Sequence, residues 1–346
     1  MLLQKLSEAT GVSGNEEPVR ALLLEAVRGL ADECRIDTMG NMIVLRRGTG
    51  GSPLRVMVAA HMDEIGLMIT QIEDNGVLHF AKVGGIDDRL LPAKPVLIGP
   101  RKVNGVVTFK PVHLTEKGER DTVVSWKQLC IDIGAASRAE AEKLVQKGDT
   151  AVFATDYCEL DTAAGGWRTV AGKAFDDRAG CAVVAELLED RYPFDLYAVF
   201  TVQEEVGLRG ARTAAFSVKP DCGIAVDCTG ANETPKKKDL SPSTRLGEGP
   251  AITIRDNSFI ADPRLVDLFF STGSRLGIPC QSKMPNVGGT DAGAIHMTHE
   301  GVPSITMAVP CRYIHAPKGI LSLRDFENTV RLGREALRRL PETMKQ

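Results

Sequence analysis

The sequence lacks any apolar run that approaches the roughly 18 residues needed to cross a membrane. Its first eight residues also lack the charged, apolar and small-residue regions of a signal peptide. The eight cysteines are scattered, with no C-x-x-C pair, in a chain of 346 residues that is too large for a disulfide scaffold. These absences predict a soluble, cytoplasmic protein with reduced thiols.

An excess of basic residues is missing as well. The 42 Lys and Arg residues against 45 Asp and Glu residues give a formal net charge of -3 at pH 7. This balance predicts that the protein binds neither nucleic acid nor an anionic membrane surface. The one basic run, Lys236-Lys237-Lys238, is interpreted as a solvated loop.

Two kinds of sequence pattern alternate along the chain and predict two domains. Strand-like and helix-like runs alternate toward both ends of the chain, as at residues 16–31, 54–60, 178–190, 196–202, 223–226, 304–309 and 323–340. Between about residues 66 and 160, short alternating runs separated by Gly, Pro and Asn indicate a small β domain or barrel. We therefore predict a discontinuous α/β domain, residues 1–66 and 164–346, interrupted by a β-rich domain over residues 67–163.

Carboxylate and imidazole side chains follow several of the predicted strands. In open α/β sheets, ligands bind beyond the carboxyl ends of the strands, so these groups are expected along one rim. An Asp-Asp-Arg run at the start of a predicted helix is expected to join them. The candidate residues are His61 and Asp63 after 54–60, Glu204 and Glu205 after 196–202, Asp227 after 223–226, His315 after 304–309, and Asp176 at the helix start.

Two imidazoles and several carboxylates on one rim suit Zn²⁺, Co²⁺ or Mn²⁺ better than Ca²⁺ or Mg²⁺. Without a cation, that many carboxylates would repel one another, and some would be forced to protonate. Two divalent ions would balance three ligand carboxylates and a bridging hydroxide, which is the usual nucleophile of two-metal hydrolases. Because Glu204 and Glu205 are adjacent, one can bind metal while the other stays free as a general base.

Each candidate also has a simpler interpretation when it is considered alone. A Glu-Glu pair is usually a solvated surface, Asp-Asp-Arg at a helix start is usually a cap, and a lone histidine is usually structural. His79, His113, His296 and His299 do not follow strands in the same way and are interpreted as structural. Each simple interpretation is common for one residue, but it is far less common for all of these residues to occur together by chance. The pattern as a whole therefore favours a two-metal hydrolase.

Five short motifs, in this order, resemble those of the M42 family of metallo-aminopeptidases. They are Ala60-His61-Met62-Asp63-Glu64-Ile65-Gly66, Ala174-Phe175-Asp176-Asp177-Arg178-Ala179-Gly180, Gln203-Glu204-Glu205-Val206-Gly207, Gly288-Gly289-Thr290-Asp291-Ala292 and Arg312-Tyr313-Ile314-His315. The resemblance extends over essentially the whole chain. It implies a zinc-peptidase α/β domain, with a mixed sheet and helices on both faces, that is interrupted by the β-rich domain.

The resemblance also implies a role for each candidate residue. Asp176 would bridge two metal ions, most readily zinc, although cobalt or manganese would also fit. Glu204 would be the general base, and Asp63 would hold the His61 ring in the ligating tautomer. The peptide bond between Asp176 and Asp177 is expected to be cis. The remaining ligands would be His61 and Asp227 for one ion, and Glu205 and His315 for the other.

The activity that the resemblance implies is removal of single residues from free peptide N-termini in the cytoplasm. Family members assemble through the inserted domain into shells of twelve subunits, so a homo-oligomer is expected. Two alternatives remain open: a related zinc carboxypeptidase or N-acyl amino acid deacylase, and a non-catalytic assembly or binding protein. An endoglucanase is disfavoured, because a metal-ligating rim does not resemble the paired carboxylates of a glycosidase.

Two further segments have no chemical role that the sequence can assign. Gly288 to Asp291 is interpreted as a tight turn beside the pocket. Asp256-Asn257-Ser258 is interpreted either as a solvated turn or as part of the pocket lining.

Overall fold

A large mixed sheet forms the framework of the molecule. The computed structural model describes residues 1–116, 118–160, 168–231, 233, 244–283 and 288–345. Nine strands of the sheet follow the order β1-β2-β12-β3-β13-β16-β17-β11-β10, and β14 and β15 are attached beside β16. The strands are β1 (Glu33–Ile36), β2 (Met42–Arg46), β3 (Arg55–His61), β10 (Cys158–Leu160), β11 (Thr169–Gly172), β12 (Asp195–Thr201), β13 (Cys222–Gly230), β14 (Ala251–Thr253), β15 (Gln281–Lys283), β16 (Ser304–Arg312) and β17 (Gly319–Ser322).

The centre of this sheet is parallel. Neighbouring strands pair in parallel from β12 to β3, from β3 to β13 and from β13 to β16. The carboxyl ends of these four strands therefore meet at one edge of the sheet. Parallel strands are covered on both faces, and β3 and β13 are accordingly buried along almost their whole length.

Alternate residues of β3 pack against two different layers of helices. Val56 and Val58 belong to the cluster that contains α4 and α8, whereas Met57 and Ala59 pack with residues of α5 and α7. This alternation follows from the two-residue period of a strand. The eight helices of the described ranges are α1 (Leu2–Glu8), α2 (Glu17–Ala26), α3 (Arg138–Ala141), α4 (Phe175–Leu187), α5 (Arg209–Val218), α6 (Pro263–Leu276), α7 (Asp291–His296) and α8 (Leu323–Thr343).

The segment that follows β3 forms a closed barrel. Its strands pair antiparallel in the order β4-β5-β8-β7-β6-β9, and their inner side chains form a separate apolar core. Four single-turn 3-10 helices lie at Asp88–Leu90, Val112–Leu114, Glu119–Asp121 and Trp126–Gln128. The barrel strands are β4 (Gly66–Ile72), β5 (Leu78–Val83), β6 (Pro95–Ile98), β7 (Val103–Val107), β8 (Ile131–Asp132) and β9 (Thr150–Phe153).

The predicted fold class is confirmed: a mixed sheet carries helices on both faces, and a smaller barrel interrupts it. The predicted domain boundary at residues 163 and 164 lies outside the described residues, as does the run Lys236-Lys237-Lys238. No helix within the described ranges combines the length and the apolar character that a membrane crossing requires.

Several element ends differ from the sequence prediction. The helix predicted over residues 16–31 is shorter, Glu17–Ala26, and the predicted strand at 223–226 extends through Cys222–Gly230. The last helix continues past Pro341 to Thr343. A proline near the end of a helix removes one intrahelical hydrogen bond, and the packing of the long buried face of α8 offsets that loss.

Candidate metal centre

The candidate residues converge at the carboxyl ends of the parallel strands. His61 is the last residue of β3, Glu204 and Glu205 follow β12, and His315 follows β16. Asp227 lies within β13 rather than after it, because that strand is longer than its apolar run indicates. Asp176 reaches the same place from the first turn of α4.

Asp176 lies between the two imidazoles. Its Oδ1 is 3.0 Å from His61 Nε2, and its Oδ2 is 3.1 Å from His315 Nε2. Glu205 Oε1 lies 3.4 Å from His315 Nε2, and Glu204 Oε2 lies 3.8 Å from His61 Nε2. One carboxylate thus faces both rings with one oxygen each, and each ring also has a glutamate nearby. The peptide bond between Asp176 and Asp177 is cis.

Two overlapping groups of potential ligand atoms share His61. The ligand atoms of His61, Asp176 and Glu205 lie within 4.8 Å of one another, as do those of His61, Asp177 and Asp227. Asp177 is already engaged, because its Oδ1 accepts a hydrogen bond from Gly180 N at 2.9 Å and its Oδ2 accepts one from His61 N at 3.1 Å. Asp177 therefore caps α4 and anchors the end of β3, which leaves Asp176 as the carboxylate that faces both imidazoles.

Both imidazoles are oriented by backbone carbonyl groups. His61 Nδ1 is 3.1 Å from the carbonyl oxygen of Asp63, and His315 Nδ1 is 3.2 Å from the carbonyl oxygen of Gly85. With Nδ1–H donated to a carbonyl, each Nε2 keeps its lone pair for a cation. The Asp63 carboxylate, which was expected to orient the His61 ring, is farther away, at 3.5 Å from Nδ1.

The carboxylate of Asp63 also holds the turn that carries the two glutamates. Its Oδ1 accepts a hydrogen bond from Glu204 N at 3.0 Å, and its Oδ2 accepts one from Glu205 N at 3.1 Å. Oδ2 also accepts the hydroxyl of Ser13 at 2.6 Å. Burial alone would raise the pKa of Asp63, but the adjacent His61 and these hydrogen bonds lower it.

Left-handed backbone conformations mark the points where the chain turns into the cluster. Ala174 has φ 53°, Gln203 has φ 56° and His315 has φ 56°. Such values disfavour residues other than glycine and persist where the surrounding structure enforces them. Each of them lies at, or within two residues of, a side chain that faces the cluster.

The acidic groups of the cluster are so close together and so buried that ionisation of all of them at once is unfavourable. Burial and the charge of Asp176 raise the pKa of Glu205 to about 8 and that of Asp227 to about 7. Burial, together with the charges of Asp227 and Asp291, raises the pKa of Glu204 well above its usual range, although His61 opposes this. Burial opposes the charged form of His315 also, but Asp176 and Glu205 raise its pKa to about 9.

This donor set fits divalent transition metals. The carboxylates are buried or nearly so, and imidazole Nε2 atoms face them, which is the mixed nitrogen and oxygen environment that zinc, cobalt and manganese accept. A cation would take the place of the protons that the raised pKa values retain. Asp291 is the last residue of the predicted turn that begins at Gly288. Its Oδ2 accepts a hydrogen bond from the hydroxyl of Thr201 at 2.5 Å.

Asp256 was interpreted as part of a solvated turn or of the pocket lining, and the solvated turn is not what the structure shows. It is buried, and its Oδ1 accepts hydrogen bonds from the backbone N–H and the hydroxyl of Ser258 at 2.6 and 2.7 Å. Ser258 Oγ in turn accepts the N–H of Thr290 at 3.3 Å. The two segments that had no assigned role therefore form one buried network, which links β14 to the start of α7.

The cluster is open to solvent on the side of His315. The His315 side chain is 40% exposed, compared with 3% for His61 and 11% for Glu204. A narrow cleft beside Asp176 and His315 is lined on the barrel side by Ile65 and Phe153. This cleft lies along the junction between the sheet and the barrel.

Comparisons with known proteins agree with this architecture. The chain matches the family described as M42 glutamyl aminopeptidase over residues 40–332. A relative from Acetivibrio thermocellus is 43% identical over 340 residues, which cover 97% of both chains. A TET aminopeptidase from the marine sediment archaeon Thaumarchaeota archaeon SCGC AB-539-E09 is 35% identical, with a TM-score of 0.94, and the match covers 99% of this chain and 97% of that one.

A third similar protein is described in terms of its assembly. The TET1 peptidase of Pyrococcus horikoshii, which can assemble into a tetrahedron or a large octahedral shell, is 35% identical. Its TM-score is 0.85, and the match covers 97% of this chain and 98% of that one.

Asp227→Asn should change stability in opposite directions with and without metal. In chelator-treated protein at pH 8 it should raise Tm, because it removes one of the mutually repelling carboxylates and keeps the acceptor for Cys228 N. With Zn²⁺ or Co²⁺ at about 100 times Kd, wild type should gain about 2.7 kcal/mol, and the variant should gain much less. Calorimetry checks both, with the exposed Glu25→Gln as the control. Equal metal-induced gains in all three proteins would contradict the assignment of Asp227.

The metal-free protein should lose stability as the pH rises from 6.5 to 8.5. Glu205 and Asp227 have folded-state pKa values raised to about 8 and about 7, so the folded state holds protons that the unfolded chain releases above about pH 4. His315, with a pKa raised to about 9, acts in the same direction, since its stabilising charge is lost through that value. Thermal unfolding in the presence of chelator measures the trend, and a Tm that rises over this interval would contradict it.

Proposed function

The chain belongs to the M42 family of aminopeptidases, and we propose that it is a two-metal enzyme that removes single residues from free peptide N-termini. The observation that carries the proposal is Asp176, which faces His61 and His315 with one oxygen each. A carboxylate between two imidazoles, each with a further acidic group nearby, is an arrangement that suits a pair of co-catalytic ions.

The proposed ligands divide into two sets that share Asp176. His61 and Asp227 would complete the coordination of one ion, and Glu205 and His315 that of the other. When bound, two divalent ions supply Lewis acidity for the first peptide carbonyl and lower the pKa of the attacking water. Zinc is the first choice for this donor set, and cobalt or manganese are alternatives.

Glu204 is the proposed general base. Its carboxylate is near the cluster but lies farther from His61 than Asp176 does, at 3.8 Å against 3.0 Å. This larger separation supports its assignment as the acidic side chain that remains free for proton transfer. In the proposed reaction Glu204 accepts a proton from the attacking water and then delivers it to the nitrogen of the departing amine. The hydrogen bonds that the Asp63 carboxylate accepts from the backbone N–H groups of Glu204 and Glu205 hold the turn that directs these two side chains to different places.

We propose a cytoplasmic location and a homo-oligomeric assembly through the barrel, with domain limits at residues 1–66 and 164–346 for the catalytic part and 67–163 for the barrel. All eight cysteines are free thiols, which suits a reducing compartment. The assembly is supported by the similar TET1 peptidase, which can assemble into a tetrahedron or a large octahedral shell. The exposed apolar side chains of the barrel, Phe109, Val112, Leu114, Val123 and Val124, offer a surface for contacts between copies.

Light scattering of the purified protein should give a mass that is a multiple of the 37.3 kDa chain, with a dodecamer as the expected species. Substitution of Phe109 and Leu114 by Ser should lower that mass, because it removes apolar area from the proposed contact. The matched control is Phe216→Ser, which removes an equally exposed aromatic side chain on α5, away from the barrel. A wild-type monomer at micromolar concentration would contradict the proposed assembly.

Glu204→Gln should lower kcat by about 10²–10⁴-fold, because the amide cannot accept the proton of the attacking water. Its metal content should remain that of wild type, since Glu204 is not a proposed ligand. Mass spectrometry of mixed peptides, free and N-acetylated, measures the products, and elemental analysis measures the metal. The exposed Glu25→Gln serves as the matched control.

Stepwise trimming of only the free peptides by wild type, with loss in Glu204→Gln, is the expected result. Cleavage from the C-terminus or of acetylated peptides would instead indicate the carboxypeptidase or deacylase alternative. Absence of cleavage with every metal would indicate a non-catalytic assembly or binding protein. Near-normal turnover by Glu204→Gln would refute the base assignment alone.

A further inference from the structure

The loop between α1 and α2, residues 9–16, lies against the back of the metal centre. We name it the N-terminal loop. Its Gly11 exchanges two hydrogen bonds with Glu64, through Glu64 N to the Gly11 carbonyl at 2.9 Å and Gly11 N to Glu64 Oε1 at 3.1 Å. Val12 forms an isolated parallel bridge with the same residue. The loop is thereby fixed to the chain just beyond His61.

Ser13 connects this loop to the turn that carries the glutamates. Its side chain is buried, and its hydroxyl donates to Asp63 Oδ2 at 2.6 Å. Asp63 accepts hydrogen bonds from the N–H groups of both Glu204 and Glu205. A hydrogen bond to an ionised carboxylate is stronger than one between neutral groups, so Ser13 restrains the carboxylate on which both N–H groups depend.

Glu16 makes the neighbouring contact from the same loop. Its side chain is buried, and its Oε1 accepts hydrogen bonds from Gln203 N at 3.2 Å and from Gly14 N at 2.7 Å. Three consecutive N–H groups, of residues 203, 204 and 205, thus point at two carboxylates that the N-terminal loop supplies or holds. Gln203 is the residue with φ 56°, a left-handed conformation that residues other than glycine adopt only where the surrounding structure enforces it.

We propose that Ser13 and Glu16 are positioning residues for the general base, because they hold the strained Gln203–Glu205 turn that directs Glu204 at the attacking water. The inference rests on the proposed function of Glu204. Neither side chain is a candidate metal ligand, and neither belongs to the cluster of facing carboxylates and imidazoles. Their effect on the reaction passes through the backbone of the turn.

The expected effect is on turnover and not on substrate binding or metal content. A misplacement of about 1 Å in a catalytic group can cost about 100-fold in rate. Ser13→Ala and Glu16→Ala should each lower kcat by about 10–100-fold, with KM within about twofold of wild type. Elemental analysis should find the same metal content as in wild type. Glu16→Gln keeps an oxygen that can accept both N–H groups, so it should restore kcat to within about threefold.

Ser7→Ala is the matched control. Ser7 is buried in α1, and its hydroxyl donates to the carbonyl oxygen of Lys173 at 2.6 Å, the same length as the bond from Ser13. Removal of either hydroxyl takes a donor from a buried acceptor, so both variants should lower Tm. Only Ser13→Ala should lower kcat, because the acceptor of Ser7 does not hold the turn.

All variants are assayed as metal-loaded, full-length protein on one free peptide, beside wild type and Glu204→Gln. Loss of activity in Glu204→Gln establishes Glu204 as the base. The results for Ser13 and Glu16 then test the positioning role alone. An unchanged kcat in Ser13→Ala, or equal losses in Ser13→Ala and Ser7→Ala, would then overturn the positioning role and leave the proposed function intact. If Ser13→Ala does not fold, the Glu16 pair decides: equal kcat values for Glu16→Ala and Glu16→Gln would overturn the inference.

Discussion

The crowding of acidic groups at the carboxyl ends of four parallel strands is the constraint on which the rest of the structure depends. Asp176, Glu204, Glu205 and Asp227 share a space in which burial raises the cost of every negative charge. A fold selected for stability alone would not retain such a cluster. Cations bound there, as proposed above, would convert the repulsion into coordination, so the proposed ligands that strain the metal-free protein would hold the metal-loaded one together.

A second buried cluster of charged residues lies beside the first, and in this one positive charge is in excess. Glu64 accepts hydrogen bonds from Lys173 and Arg178, and Arg178 also donates to backbone carbonyl groups of Leu6, Ala9 and Met62. Arg178 is fully buried, so its guanidinium needs all of these partners. The arrangement ties α1 and the N-terminal loop to the metal centre.

The sequence predicted the architecture and the gathering of the candidate residues better than it predicted their individual contacts. Apolar runs that end in His61 or Glu204 indicate strands and a shared rim because both signals are local. The hydrogen bonds that Asp63 accepts from Ser13 and Glu204 could not be predicted, since these partners are 50 and 141 residues away along the chain. Asp227 was expected beyond its strand because polar Asp227 and Thr229 end the apolar run, while the backbone pairing with β16 continues.

The position of His315 makes the metal centre sensitive to the barrel. The carbonyl group that orients its ring belongs to Gly85, in the loop that follows β5, and a side chain at position 85 would approach His315 Nδ1 to 3.1 Å. A movement of the barrel relative to the sheet would therefore carry this carbonyl group away from the ring that it orients. By linkage, a cation that requires His315 stabilises the barrel in the position seen here. Contacts that fix the barrel from outside, such as those of the proposed assembly, would then favour the proposed metal binding by the same free energy.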